Sequence, residues 1–263
     1  MIKYKDLRER QKRDIKLRLI GINIYRNIST PFTWIFVNLG IAPNTLTLLG
    51  FIVPLFGYYY LSQGSYFSMF IGTLWFLLFK ILDVCDGEVA RFTNSKSLEG
   101  LYFDRINHYV FSLAFGVGIG LGLSRIFSDS VYLHLGFLFA LIFILENAIS
   151  DMLKTLVGED TLNKILSKAY NNKTWEKGNI IQKLFNICPY QGLLFTDTLT
   201  VPILVLLSGF EFLLNELFSY TMVFIPLYLL VVIVAKLVWI VWFIYSIEKN
   251  RYISTSLRHK KVG

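Results

Sequence analysis

Apolar residues fall in six long blocks along the chain, at about 43–62, 67–90, 99–123, 131–157, 191–213 and 221–247. A helix needs about 20 mainly apolar residues to cross the hydrocarbon core of a bilayer, and each block supplies about that many. Unpaired backbone groups are costly in lipid, so the blocks are expected to be helices. The second and fourth blocks end in polar residues, which shortens their apolar portions. Ahead of them, Ile15, Leu19 and Ile22 recur at helical spacing among Arg13, Lys16 and Arg18. The segment Asp14 to Arg26 therefore reads as an amphipathic helix lying on the membrane surface. Residues 1–13 read either as part of it or as a basic arm. The pattern predicts an all-α membrane protein with six transmembrane helices and an N-terminal amphipathic surface helix. It divides the chain into a basic segment at 1–30, a six-span domain at 31–250 and a basic tail at 251–263. The connection at about 158–190 is polar and rich in Asn and Lys, and carries no recognisable chemistry.

Composition agrees with that reading. Hydrophobic residues make up 54% of the 263, charged residues only 17%, and mean hydropathy is +0.53; a soluble domain carries about 25% charged residues. The net charge of +8 raises the question of a nucleic-acid partner. The basic residues lie at the edges of the apolar blocks, however, which suits an anionic lipid surface instead. Nine of them precede residue 27, others fall in the second-to-third and fourth-to-fifth connections and after Lys249, and Arg125 stands alone on the opposite side. By the positive-inside rule both termini are expected in the cytoplasm, in the plasma membrane for a bacterial or archaeal source. Cys85 and Cys188 are too few for a disulfide framework and are expected to be reduced. No cleavable signal peptide is expected, because the first apolar block starts only near residue 41.

Charges inside a span are expensive and ask for a reason. The densest group lies where the second block ends and the third begins: Asp83, Asp86, Gly87, Ala90 and Arg91, then Gly100, Asp104 and His108. On a helix the first five form one stripe at i, i+3, i+4, i+7 and i+8, and the last three form another at i, i+4 and i+8. A short connection makes the two helices antiparallel neighbours, so the stripes are expected to face each other. Gly87, Ala90 and Gly100 leave space between them. Three carboxylates converging at a membrane border repel one another unless cations intervene, and oxygen ligands favour Mg²⁺ or Mn²⁺. Arg91 offers a planar cation for a phosphate oxygen. These parts suit a diphosphate held by metal. The competing reading is a set of structural carboxylates paired with Lys80, Arg91 and Arg105.

At these residues the chain resembles the CDP-alcohol phosphotransferase family, whose signature is D-x2-D-G-x2-A-R-x8-G-x3-D-x3-D. Every fixed position from Asp83 through Asp104 matches. The run Pro43-Asn44-x-x-Thr47 at the start of the first block is similar to a P-N-x-x-T that many members carry beside the nucleotide. The resemblance implies a CDP-alcohol donor, a hydroxyl acceptor, a two-metal site with Mg²⁺ or Mn²⁺ at Asp83, Asp86, Asp104 and the last signature position, and release of CMP. It assigns nucleotide contacts to Asn44, Thr47, Gly87, Ala90, Arg91 and Gly100, implies a homodimer, and makes phospholipid or related polar-lipid synthesis the expected setting. No nucleic acid is expected as a partner. Glu88, in the run DGEVAR, resembles the branch handling polar or inositol-type alcohols.

The signature's final aspartate is replaced by His108. In the family that aspartate is taken to bind metal and to remove the acceptor's proton. His108 can serve as the base, since imidazole titrates near neutrality one turn from Asp104. It can instead ligate a metal, which favours Mn²⁺ over Mg²⁺. Or the site is a relic that binds CDP-alcohols without turning them over. With Asp104 it forms the expected catalytic pair. Beyond the signature, Asn147, Asp151 and Lys154 form a polar stripe that reads as an acceptor pocket or a helix–helix seam. Lys236, in the middle of the sixth block, is expected to meet an acceptor phosphate or a carboxylate such as Asp151 or Asp197, and Glu146 to face the interior. A cation-coupled transporter is the remaining alternative, but the acids have no counterpart in the second half of the chain.

Overall fold

The computed structural model describes residues 4, 5, 7, 8, 20–95, 97–158 and 197–248. All regular structure among them is helical: α1 (Ile20–Asn38), α2 (Pro43–Ser62), α3 (Tyr66–Phe92), α4 (Leu98–Phe127), α5 (Val131–Val157), α6 (Asp197–Phe218) and α7 (Phe224–Glu248). Six of these, α2 to α7, are long and apolar enough to cross a membrane. The expected spans are thus present with shifted ends. Helix α6 runs to Phe218 instead of stopping near 213, and residues 191–196 lie outside the described set.

Local chemistry explains the helix ends. Gly40, at φ +69°, takes the left-handed conformation that closes α1, and Pro43 occupies the first turn of α2, where a missing N–H costs nothing. Ser65 caps α3 in a reciprocal pair with Ser68. Ser97 caps α4 by accepting from the Gly100 N–H at 3.0 Å. Helix α1 extends well past the Arg26 expected as its end, and passes through Pro31. Residues 9–19 and the side chains of 20–24 lie outside the described set, so the apolar stripe of Ile15, Leu19 and Ile22 does too. The loop at about 159–190, Cys188 and the tail at 251–263 also lie outside it.

Packing differs from the expected hairpin in one respect that matters for the site. Helices α3 and α4 do not lie flush against each other; both pack along α2. Glycines let them do so. A Cβ on Gly57 would strike the Phe76 ring at 2.5 Å, and one on Gly122 would lie 2.2 Å from the Leu61 carbonyl. Helix α4 offers a second glycine face to α5, where Gly116 and Gly120 meet Gly136 at distances that admit no side chain. What joins α3 to α4 directly is a core of large rings. Phe79 stacks on Phe111 at 4.8 Å, and Phe76 meets Phe115 at 4.6 Å. These rings hold the two helices apart, and α2 fills the space beside them.

Candidate active site

Above the ring core, at the end of the bundle where α3 passes into α4, the signature residues come together. Asp83 on α3 and Asp104 and His108 on α4 place one ligand atom each within 4.8 Å of one another. His108 Nε2 lies 3.4 Å from Asp83 Oδ1 and 3.9 Å from Asp104 Oδ1. All three side chains are partly open to the outside, and the His108 ring stands edge-on to Phe79, with centroids 6.3 Å apart. A cation bound about 2.1 Å from each atom needs its ligands about 3.0–3.5 Å apart. Two acids and an imidazole at this spacing fit a divalent cation with a small closing movement.

Asp86 stands apart from this trio. Its Oδ2 accepts from the Thr47 hydroxyl of α2 at 3.1 Å. The Thr47 carbonyl in turn accepts from the buried Asn107 amide at 2.8 Å. The two stripes expected to face each other meet directly at Asp83 and His108, and α2 lies beside them, with Thr47 bonded to α3 by its side chain and to α4 by its backbone. Thr47 is itself buried, whereas Asn44 is exposed beside Gly100, at which a Cβ would come within 3.3 Å of Asn44 Oδ1. Gly87 gives Arg91 room to fold back: a Cβ there would sit 3.1 Å from Arg91 Nη1. Ala90 is half-buried on the same stripe. Asn44 and Gly100 thus meet where α2 and α4 begin, and Arg91 folds over Gly87 near the end of α3.

The second polar stripe is a seam between α4 and α5. Asn147 donates to Ser112 Oγ at 3.2 Å, and Ser112 donates to the His108 carbonyl at 2.8 Å. Asp151 accepts from the Tyr109 hydroxyl at 3.2 Å and pairs with Arg105 Nε at 3.7 Å. Arg105 is thereby engaged away from the signature acids. The Lys154 side chain lies outside the described set. Lys236 pairs with Glu146 on α5, not with Asp151, and lies over the Phe143 ring at 4.6 Å; the Asp197 side chain lies outside the described set. The reason is depth, since both groups sit in the apolar middle of their spans and an unpaired charge there is costly. Lys80, buried one turn before Asp83, lies 4.3 Å from the Phe111 centroid.

Sequence reasoning did not foresee the contacts of two buried acids, Glu88 and Glu211. Glu88, inside the signature, turns away from the acids to α1, where Ser29 and Thr33 donate to its Oε2 at 3.0 and 2.6 Å. Its position in the i, i+5 direction from Asp83 was the available signal. Cys85 packs the same interface, fully buried, its thiol 3.7 Å from the Ser29 carbonyl. At the far end of the bundle, Glu211 is buried and accepts from the Val223 N–H at 2.7 Å and from those of Phe224 and Ile225, capping α7 from α6.

Two acids and an imidazole spaced to fit a divalent cation thus converge at one end of a bundle in which α2 to α7 are long and apolar enough to cross a membrane. The chain belongs to the CDP-alcohol phosphatidyltransferase family, whose profile matches residues 40–182, more than half of the chain. It is also similar to a bifunctional IPC transferase and DIPP synthase of Archaeoglobus fulgidus, 38% identical over 87 residues. That stretch is 33% of this chain and 17% of the relative, so the chain matches only a small part of that protein's length.

Proposed function

We propose that the protein transfers a phosphoalcohol group from a CDP-alcohol to a hydroxyl acceptor and releases CMP, in the synthesis of a phospholipid or related polar lipid. The convergence of Asp83, Asp104 and His108 at the family's signature carries this reading. Asp83, Asp86, Asp104 and His108 would hold two divalent cations, Mg²⁺ or Mn²⁺, with Thr47 orienting Asp86. Bound there, such cations supply charge neutralisation on the diphosphate and on the departing CMP. The rim of Asn44, Gly87, Ala90, Arg91 and Gly100 receives the nucleotide, with Thr47 placed behind it by its bond to Asp86. Arg91 binds a phosphate oxygen, since its guanidinium lies over the open Gly87.

The acceptor hydroxyl attacks the β-phosphorus in line, its oxygen forming the new P–O bond as the bond to CMP breaks. Its proton passes to the Asp104–His108 pair, one helical turn apart. The remaining work is positioning in a site shielded by the ring core beneath. The acceptor approaches along α5, near Asn147, Asp151 and Lys154. Lys236, held by Glu146, supports that wall from behind instead of reaching a phosphate. Both termini face the cytoplasm of a multi-pass protein, which lies in the plasma membrane if the source is bacterial or archaeal, and two copies form a homodimer.

CMP release by the purified protein tests the reading, with CDP-alcohols and acceptors supplied together with Mg²⁺ or Mn²⁺. The substrate types of the bifunctional relative lead the panel, because its identity to this chain is the most specific substrate clue. Wild type should release CMP, and Asp83→Asn and His108→Ala should abolish it. CDP-alcohol binding without CMP release from any pair would replace this reading with a relic site.

A further inference from the structure

The one signature position at which this chain departs from the family is also the one that changes the chemistry of the ligand set. A carboxylate there would offer two oxygens, one for a cation and one for a proton. The imidazole of His108 offers less. Its Nδ1 is buried without a hydrogen-bond partner among the described residues, so Nε2 is the only ring nitrogen it can present to the site. That nitrogen lies between the two acids, 3.4 Å from one and 3.9 Å from the other, and the ring stands edge-on to the buried Phe79. A single donor atom cannot bind a cation and accept a proton at once.

We propose that the Asp83–Asp104–His108 cluster binds its cation through His108 Nε2, and that this nitrogen shifts the site's preference from Mg²⁺ toward later transition ions such as Co²⁺. The inference rests on the reading that the cluster holds a cation. Nitrogen ligands raise affinity along the series from Mn²⁺ toward Cu²⁺, whereas Mg²⁺ prefers oxygen and gains little from imidazole. Two carboxylates with one imidazole match the ligand sets of transition-metal sites better than the all-oxygen set the signature specifies elsewhere. The acceptor's proton then falls to Asp104, whose side chain is 36% exposed against 27% for His108.

The test uses the whole chain in detergent, without nucleotide, and reads cation binding directly. Co²⁺ and Mg²⁺ affinities are measured by competition for wild type and His108→Asp, with His108→Gln as a second oxygen-donor variant should the first fail to fold. Mn²⁺-loaded protein is examined by pulsed electron paramagnetic resonance for coupling to a ¹⁴N nucleus. The expected result is a ¹⁴N coupling in wild type that both variants lose. The Co²⁺-over-Mg²⁺ preference should also drop at least tenfold in each variant. An unchanged preference, or bound Mn²⁺ without ¹⁴N coupling, overturns the proposal. So does a cluster that binds no cation, which would make it an ion-pair network of Asp83, Asp104 and His108. CMP release, measured separately, tests the reaction independently: Co²⁺ preference without CMP release would sink the transferase and leave the ligand assignment standing.

Discussion

The two ends of the bundle treat buried acids in opposite ways. At the far end, Glu211 is fully buried and one of its oxygens accepts from three consecutive backbone N–H groups at the start of α7. Nearby, the Tyr66 hydroxyl accepts from the Met222 N–H at 2.8 Å and donates to the Tyr220 carbonyl at 3.1 Å, while Arg125 donates to the Ser62 carbonyl. Polar side chains there finish helices whose ends have unsatisfied backbone groups. At the site end, Asp83 and Asp104 are partly open and lie among another acid and an imidazole. They satisfy no helix end. An acid inside a span is thus not by itself a functional residue; what separates the two cases is whether the fold already supplies its donors.

Substitutions should pull these two roles apart. The largest effect is expected for Asp83→Asn, which should lower CMP release by at least about 10³-fold, or about 4 kcal/mol of barrier, while leaving thermal unfolding nearly unchanged. Glu211→Ala should do the reverse. It strips three N–H groups of their acceptor and should cost about 3 kcal/mol in denaturant unfolding, with turnover per folded molecule retained. Gly122→Ala should follow at about 2 kcal/mol, because its Cβ would overlap the Leu61 carbonyl and push α4 off α2. The smallest effect should come from Glu88→Gln. An amide oxygen can still accept from Ser29 and Thr33, so unfolding should move by less than about 1 kcal/mol and CMP release by less than about threefold. A large loss of CMP release in Glu88→Gln, with stability intact, would instead make Glu88 part of the reaction and blur the comparison at its sharpest point.

Much of this arrangement is legible in the sequence. Six apolar blocks announce six spans because lipid leaves a chain few alternatives to helix, and α2 to α7 follow them closely. The acid cluster is legible because helical spacing places Asp83 with Asp86 and Asp104 with His108 whatever the partner helix. What the pattern does not contain is which helix stands between which. The short α3–α4 connection suggests a closed hairpin, and only the fit of Gly57 and Gly122 against their neighbours puts α2 alongside both. Helix α1 runs on through Pro31 to Asn38, past the end that its apolar stripe marks, although Pro and hydroxyl residues are poor helix formers. In the fold those same hydroxyls, Ser29 and Thr33, are the contacts to Glu88. Glu211 has no assignable role in the sequence, since its partners are backbone groups 12 to 14 residues away that only the return of the chain in α7 brings near. The carboxylate that meets Lys236 is hidden for a similar reason: several acids are plausible partners in sequence, and depth in the bundle chooses among them.

The placement of α2 also bears on how the protein is made. A ribosome delivers spans in order, so α2 is in the membrane before α3 and α4 emerge. When those two arrive, Thr47 is already in place to bind Asp86, and the Leu61 carbonyl to receive the glycine face of α4. The hairpin is therefore assembled onto a template, and Asp83 meets Asp104 and His108 beside an α2 that is already in place. An order of synthesis that released α2 after the hairpin, as in a circular permutant opened between α2 and α3, would have to pry the two apart to insert it.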